Sequence, residues 1–153
     1  MDDTRSTSHK TVIGWREWLC LPELGIDFIK AKIDTGARTS ALHTFSLDVA
    51  HDGGRKVARF GVHPLQRDTD TVVWCTAPVV DERSVRDSGG HKEWRFVIAT
   101  PVAMAQREWE IELTLTARDT MLFRMLVGRT AMRSLCVDPF ASFVTGPGPG
   151  EQV

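Results

Sequence analysis

The sequence predicts an all-β fold, a closed or nearly closed β-barrel with one short C-terminal helix, and three observations carry that prediction. Apolar residues recur with a period of two rather than about 3.6. Turn signals, Asp52-Gly53-Gly54 and Ser88-Gly89-Gly90, fall between the apolar runs. No long amphipathic helical stripe occurs anywhere in the 153 residues.

The clearest element is Trp109, Ile111, Leu113, Leu115 and Ala117 alternating with Glu110, Glu112, Thr114 and Thr116, the pattern of a half-buried strand. Ile29, Ala31 and Ile33 alternate with Lys30 and Lys32, and Phe45, Leu47 and Val49 with Ser46 and Asp48. Asp52-Gly53-Gly54 turns the chain into a strand over 57–62. Continuous apolar runs over 72–80, 96–99 and 121–127 read as further strands, some covered on both faces. Thr130 to Leu135, after a Gly-Arg pair, reads as the short helix. The count reaches six to eight strands, which suits a barrel. The polar start and the run Gly146-Pro147-Gly148-Pro149-Gly150 can sustain neither ladder nor helix. The expected organisation is one domain over 12–145, with tails at 1–11 and 146–153.

Length and composition bound the function. A chain of 17.1 kDa with 42% hydrophobic residues supports one core. A formal net charge of -1 provides no field to recruit nucleic acid or an anionic membrane, so neither is an expected partner. No apolar run approaches the ~20 residues that span a bilayer, and no basic segment precedes an apolar one at the N-terminus. Cys20, Cys75 and Cys136 are odd in number and widely spaced, which fits no disulfide framework or Cys-x-x-Cys element and points to a cytoplasmic setting. Arginine far outnumbers lysine, and its planar fork suits carboxylate contacts.

The chemistry-bearing element is Asp34-Thr35-Gly36, delivered at the end of the strand Ile29 to Ile33. Taken alone, the tripeptide fits an Asp-Gly turn capped by a hydroxyl. Its surroundings narrow the reading. Ile33-Asp34-Thr35-Gly36-Ala37 followed by Ala41-Leu42 resembles the catalytic loop of retropepsins. Leu126-Val127-Gly128-Arg129 with 130–135 behind it resembles their apolar-apolar-Gly-Arg element and terminal helix. The resemblance is closest to a bacterial branch often labelled ATP-dependent zinc proteases, whose members accompany an ATP-grasp ligase that adds glutamates to a ribosomal protein. Gly14-Trp15-Arg16-Glu17, Leu21-Pro22, the run from Ala31 to His43, Asp81-Glu82-Arg83 and the stretch from Leu115 to Arg129 carry it, across roughly residues 12 to 145.

That resemblance implies a retropepsin-like barrel and an aspartic endopeptidase. Such an enzyme needs two carboxylates sharing a proton, one acting as base toward water and the other as acid toward the carbonyl. One loop per chain implies a homodimer with Asp34 from each subunit at the two-fold axis. Thr35 would tie the two loops together, and Gly36 would let its backbone approach the carboxylates. Arg38, beside Ala37, stands where many retroviral relatives carry an acid, and it favours an acidic peptide. Arg83, Arg86, Arg95, Arg118 and Arg129 lie in segments that the resemblance puts around the cleft or flap. Ala37, Arg38, Arg83, Arg118 and Arg129 are therefore the candidate substrate contacts, with Ser88, Gly89 and Gly90 as flap tip. The implied substrate is an acidic peptide or glutamate-tailed protein, with an ATP-grasp ligase as partner.

No metal and no cofactor is expected. There is no His-Glu-x-x-His and no phosphate-binding glycine loop. His43, near Asp48 and His51, reads as a polar residue on a solvated strand face. Asp81 and Glu82 read as an arginine-paired structural turn, and Asp138-Pro139 as a turn. The alternative function is a catalytically silent module of the same fold that binds a peptide or scaffolds a complex.

Overall fold

The computed structural model describes residues 10–86, 89–118 and 121–149. Its strands are β1 (Thr11–Ile13), β2 (Arg16–Leu21), β3 (Ile26–Ile33), β4 (Ser40–His43), β5 (Ser46–Asp52), β6 (Arg55–Val62), β7 (Val73–Pro78), β8 (Asp81–Arg86), β9 (Lys92–Met104), β10 (Arg107–Thr116), β11 (Met125–Val127) and β12 (Leu135–Val137). The expected all-β barrel is present. Its strand order is β10-β4-β11-β3-β2-β9, and the β9–β10 hairpin closes the ring at six strands, so the sheet has no open edge there. β8 pairs with the first half of β9. Outside the ring, β5, β6 and β7 form a separate antiparallel sheet, and β1 pairs with β12 in parallel.

The alternations seen in the sequence set which face goes inward. Ile29, Ala31 and Ile33 of β3, Leu113 and Leu115 of β10, Leu42 of β4 and Met125 of β11 are all buried in one core with Leu21, Ile26 and Ile98. Each fully buried aliphatic side chain contributes about 1.5–3 kcal/mol. β10 departs from the expected half-buried strand, because Thr114 and Thr116 on its other face are buried too. The reason lies at the site described below, where arginine side chains cover that face.

The short helix expected over 130–135 is one 3₁₀ turn, Arg129–Ala131. The turn stays short because the chain must extend again at Leu135 to pair with β1, while the Arg129 and Thr130 amides, unpaired at the turn's start, donate to the Ala37 and Arg38 carbonyls. A second 3₁₀ turn, Pro22–Leu24, ends on Gly25 at φ 74 and links β2 to β3.

The chain after β12 runs back across β2, as far as the last described residue. Asp138 makes the expected turn, accepting from the Phe140 and Ala141 amides. The carboxylate of the fully buried Glu17 then gathers four donors: the amides of Gly14 (2.7 Å), Val144 (2.9 Å) and Thr145 (3.1 Å), and the Thr145 hydroxyl (2.9 Å). Gly148, which composition places in the C-terminal tail, is buried, and a Cβ there would meet the Trp18 ring at 2.0 Å.

Candidate active site

Asp34 leaves the end of β3 with its amide donating to the Val127 carbonyl (2.9 Å), which extends the parallel β3–β11 ladder by one residue. The Ala37 amide donates back to the Asp34 carbonyl (3.2 Å), and the Gly36 amide to Asp34 Oδ1 (3.0 Å). The carboxylate is thus aimed by its own loop. Asp34 is half-buried, while Thr35 and Gly36 are exposed. A Cβ on Gly36 would sit 3.2 Å from Asp34 Oδ1, a tight approach that would press on the carboxylate.

The apolar-apolar-Gly-Arg element clamps this loop. β11 lies between β3 and β4, parallel to the first and antiparallel to the second. As the chain leaves β11, Gly128 N donates to Ser40 Oγ (3.0 Å), Arg129 N to the Ala37 carbonyl (2.8 Å) and Thr130 N to the Arg38 carbonyl (3.1 Å). Arg129 Nη1 reaches the Thr35 carbonyl (3.0 Å). A Cβ on Gly128 would lie 2.5 Å from Thr39 backbone atoms, so only glycine permits this crossing. Ser40, Gly128 and Arg129 therefore position the loop. Arg129, expected at substrate, has one of its donors on the loop.

Strand register shows which residues lie on the same side of the barrel wall as Asp34. Residues two apart share a face, as do registered partners. Asp34 therefore goes with Lys32, and Lys32 with Leu126, Ala41, Thr114 and Val97 in turn. Arg95 lies two residues from Val97 and is registered with Arg83 of β8. The other expected arginines sit here with acidic partners. Arg83 donates to Asp81 Oδ2 and Glu112 Oε1, both at 2.7 Å. The exposed Arg118 donates to Glu93 Oε1 (3.1 Å). Arg38 is exposed at the Asp34 loop itself, with Ala37 half-buried beside it.

The β8–β9 hairpin carries the turn expected as the flap tip. Gly90, at φ 85, takes a conformation that favours glycine, and Gly89 adjoins it; Ser88 lies outside the described residues. Along the hairpin Trp94, registered with Ser84, is exposed, and its indole N–H donates to Glu82 Oε1 (3.0 Å). A cavity of about 560 Å³ opens there, lined by Arg55, Lys56, Val80, Asp81, Glu82 and Trp94 among others.

His43, expected on a solvated strand face, is instead buried beneath this arginine-rich face, with Nδ1 2.6 Å from Thr116 Oγ1. Burial pushes its pKa down to about 4, helped by the charges of Arg95, Arg118 and Arg124 and opposed by Glu93. The alternation could not reveal this, because the cover comes from long side chains of neighbouring strands. Burial likewise pushes the Cys75 thiol up to about 11, the direction that makes a poor nucleophile. All three cysteines are free. Among the described residues no group of three or more His, Cys, Asp or Glu gathers to hold a metal, and no helix is long and apolar enough to cross a membrane.

The residues that sequence reasoning passed over are Ser40, Glu17 and Glu93. Ser40 and Glu17 lie inside segments that carry the resemblance, yet nothing in those segments announced their hydrogen bonds.

Residues 12–147 match the family described as retropepsin-like aspartic endopeptidase RimB. A protein of Desulfotalea psychrophila named probable alpha-L-glutamate ligase is 48% identical over 131 residues, which is 85% of this chain and 28% of that protein. One of the same name from Shewanella pealeana is 41% identical, over 92% of this chain and 31% of its own length. The chain thus spans about three-tenths of the curated relatives it matches. A crystal structure of a Legionella pneumophila protein of unknown function superimposes with a TM-score of 0.71 at 24% identity, covering 88% of this chain and 98% of that one, which is a likeness of fold. With β11 set between β3 and β4 behind the Asp34 loop, and a family match across nearly the whole barrel, the chain belongs to the RimB-like family of retropepsin-like proteins.

Proposed function

We propose that this chain is one subunit of a homodimeric aspartic endopeptidase that cleaves acidic peptide, in which two copies of Asp34 activate a water. The observation that carries this reading is the aimed carboxylate: Asp34, half-exposed at the mouth of a clamped loop, with Gly36 N–H on Oδ1 and Arg129 on the Thr35 carbonyl. In such a dimer the two carboxylates share a proton. The ionised one draws a proton from the water, the protonated one donates to the scissile carbonyl oxygen, and the proton passes on to the leaving amine. Thr35 and Gly36, both exposed, are available to the partner loop.

An acidic substrate is supported by the exposed Arg38 beside the loop and by the arginines Arg83 and Arg118, half-buried and exposed respectively, on the same side of the barrel wall. The names of the ligase relatives add support for a glutamate tail and for an ATP-grasp ligase as partner. Free cysteines fit a reducing, cytoplasmic setting. The same relatives favour one second reading, a silent module that holds an acidic chain for a ligase, since the matched segment is only part of each.

Hydrolysis of glutamate-rich peptides by wild type, Asp34→Ala and Arg38→Ala, each with and without chelator, separates the two. Cleavage that resists chelation, vanishes with Asp34→Ala and weakens with Arg38→Ala supports the peptidase. Binding of the same peptides without cleavage favours the module.

A further inference from the structure

The acidic-substrate reading leaves one question that the geometry answers: what meets the binding arginines before substrate arrives. Glu93 Oε2 accepts from Arg95 Nε at 2.9 Å, and its Oε1 accepts from Arg118 Nη2 at 3.1 Å. One carboxylate thus spans two guanidinium groups with both oxygens, the arrangement by which a glutamate side chain of another molecule would be held. Arg95 is fixed from behind by Nη1 to Thr114 Oγ1 (3.3 Å) and is 9% exposed, whereas Glu93 is 33% and Arg118 43% exposed. The anchoring cation is built into the sheet, and the acid that covers it faces solvent. Arg83, itself 33% exposed, is likewise met by two carboxylates, Asp81 at Nε and Glu112 at Nη2.

By register this site is reached from Asp34 across β11, β4 and β10, so an acidic chain that meets it extends well beyond the catalytic loop. Leu126, Ala41, Thr114 and Val97 link the two places on one side of the ring, and Glu93 stands one residue into β9, just past the hairpin tip.

We propose that Glu93 is an internal placeholder, which acidic side chains of the substrate displace from Arg95 and Arg118, so that Glu93 sets the threshold for binding and its selectivity for acidic chains. The physical basis is the exchange of one carboxylate partner for another. Removing a carboxylate from a nearly buried arginine is costly unless another replaces it. An acidic peptide makes that exchange with little change in the charge or hydration of the site, while a neutral peptide leaves Glu93 in place. Two clustered guanidinium groups are also kept from repelling each other in the empty enzyme.

The test uses protein carrying Asp34→Asn, so that binding is read without cleavage, and titrates hexaglutamate by calorimetry with hexaglutamine as the neutral control. Adding Glu93→Gln is expected to tighten hexaglutamate binding about tenfold, the scale of one charge-assisted hydrogen bond. Arg118→Gln, at an exposed position that does not threaten folding, is expected to weaken it by a similar factor. Glu23→Gln makes the same charge change on the 3₁₀ turn after β2 and is expected to leave affinity as it was. Equal affinities for the Glu93→Gln and Glu23→Gln proteins overturn the proposal, and so does hexaglutamate binding that is undetectable or indifferent to Arg118→Gln, which decides the matter even where Glu93→Gln does not fold. The expected pattern of affinities without cleavage by the wild type would sustain the placeholder and sink the peptidase reading.

Discussion

Acidification should weaken this fold through His43. In the folded chain its imidazole is buried against Thr116, with Arg95, Arg118 and Arg124 nearby, and its pKa is held at about 4 against an ordinary 6.5. The unfolded chain therefore binds the proton more readily, and stability is lost as pH falls from the unfolded value through the folded one. Between about pH 7.5 and about pH 4.5 those two values give a loss of about 2.5 kcal/mol from this residue alone. That is a large part of the ~5–15 kcal/mol that holds a domain folded. Glu93 works the other way, so neutralising it would deepen the loss. Urea denaturation of wild type and His43→Asn at both pH values measures the effect, since the asparagine amide can keep the bond to Thr116 Oγ1 without titrating. The wild type should lose about 2.5 kcal/mol more than the variant over this interval. Equal losses in the two proteins would refute the reasoning. The consequence for function is an acid limit set by the scaffold, whatever proton count the paired carboxylates prefer.

Three further outcomes follow from the clamp and the returning chain. Gly128→Ala forces a Cβ to within 2.5 Å of Thr39 backbone and should cost about 3 kcal/mol or more, read as a lowered urea midpoint. Glu17→Gln cannot accept all four hydrogen bonds and should cost about 1.5–3 kcal/mol, with limited proteolysis cutting first after Asp138. Arg129→Lys loses the planar fork that reaches the Thr35 carbonyl; peptide cleavage should fall in kcat by about tenfold to a hundredfold while the urea midpoint stays close to that of wild type.

The barrel was legible because its core strands carry their burial in the chain itself. Ile29, Ala31 and Ile33 need only alternate with lysines to declare an inward face. The Asp34 loop was legible through its residues and their distance from Gly128-Arg129. What could not be read was register. Nothing in Met125-Leu126-Val127 says that it will slot between β3 and β4, and once it does, the glycine, the Ser40 hydroxyl and the single 3₁₀ turn all follow from that crossing. Register also decides the arginines. Arg83 and Arg95 are twelve apart in sequence but become partners across β8 and β9, and only then does Glu112, across a further strand, come within 2.7 Å of Arg83. The burial of His43, Thr114 and Thr116 under such side chains is invisible to a two-residue period, since the cover is polar.

The central claim is that one site needs Asp34 from two chains, and mixing tests it most directly. Wild type and Asp34→Asn protein are combined at constant total concentration, allowed to exchange subunits, and assayed on a glutamate-rich peptide. If each site draws one carboxylate from each copy, activity falls as the square of the wild-type fraction, to about a quarter at equal amounts. Activity that falls in simple proportion, to about half, would mean that each chain works alone and would contradict the paired-carboxylate account.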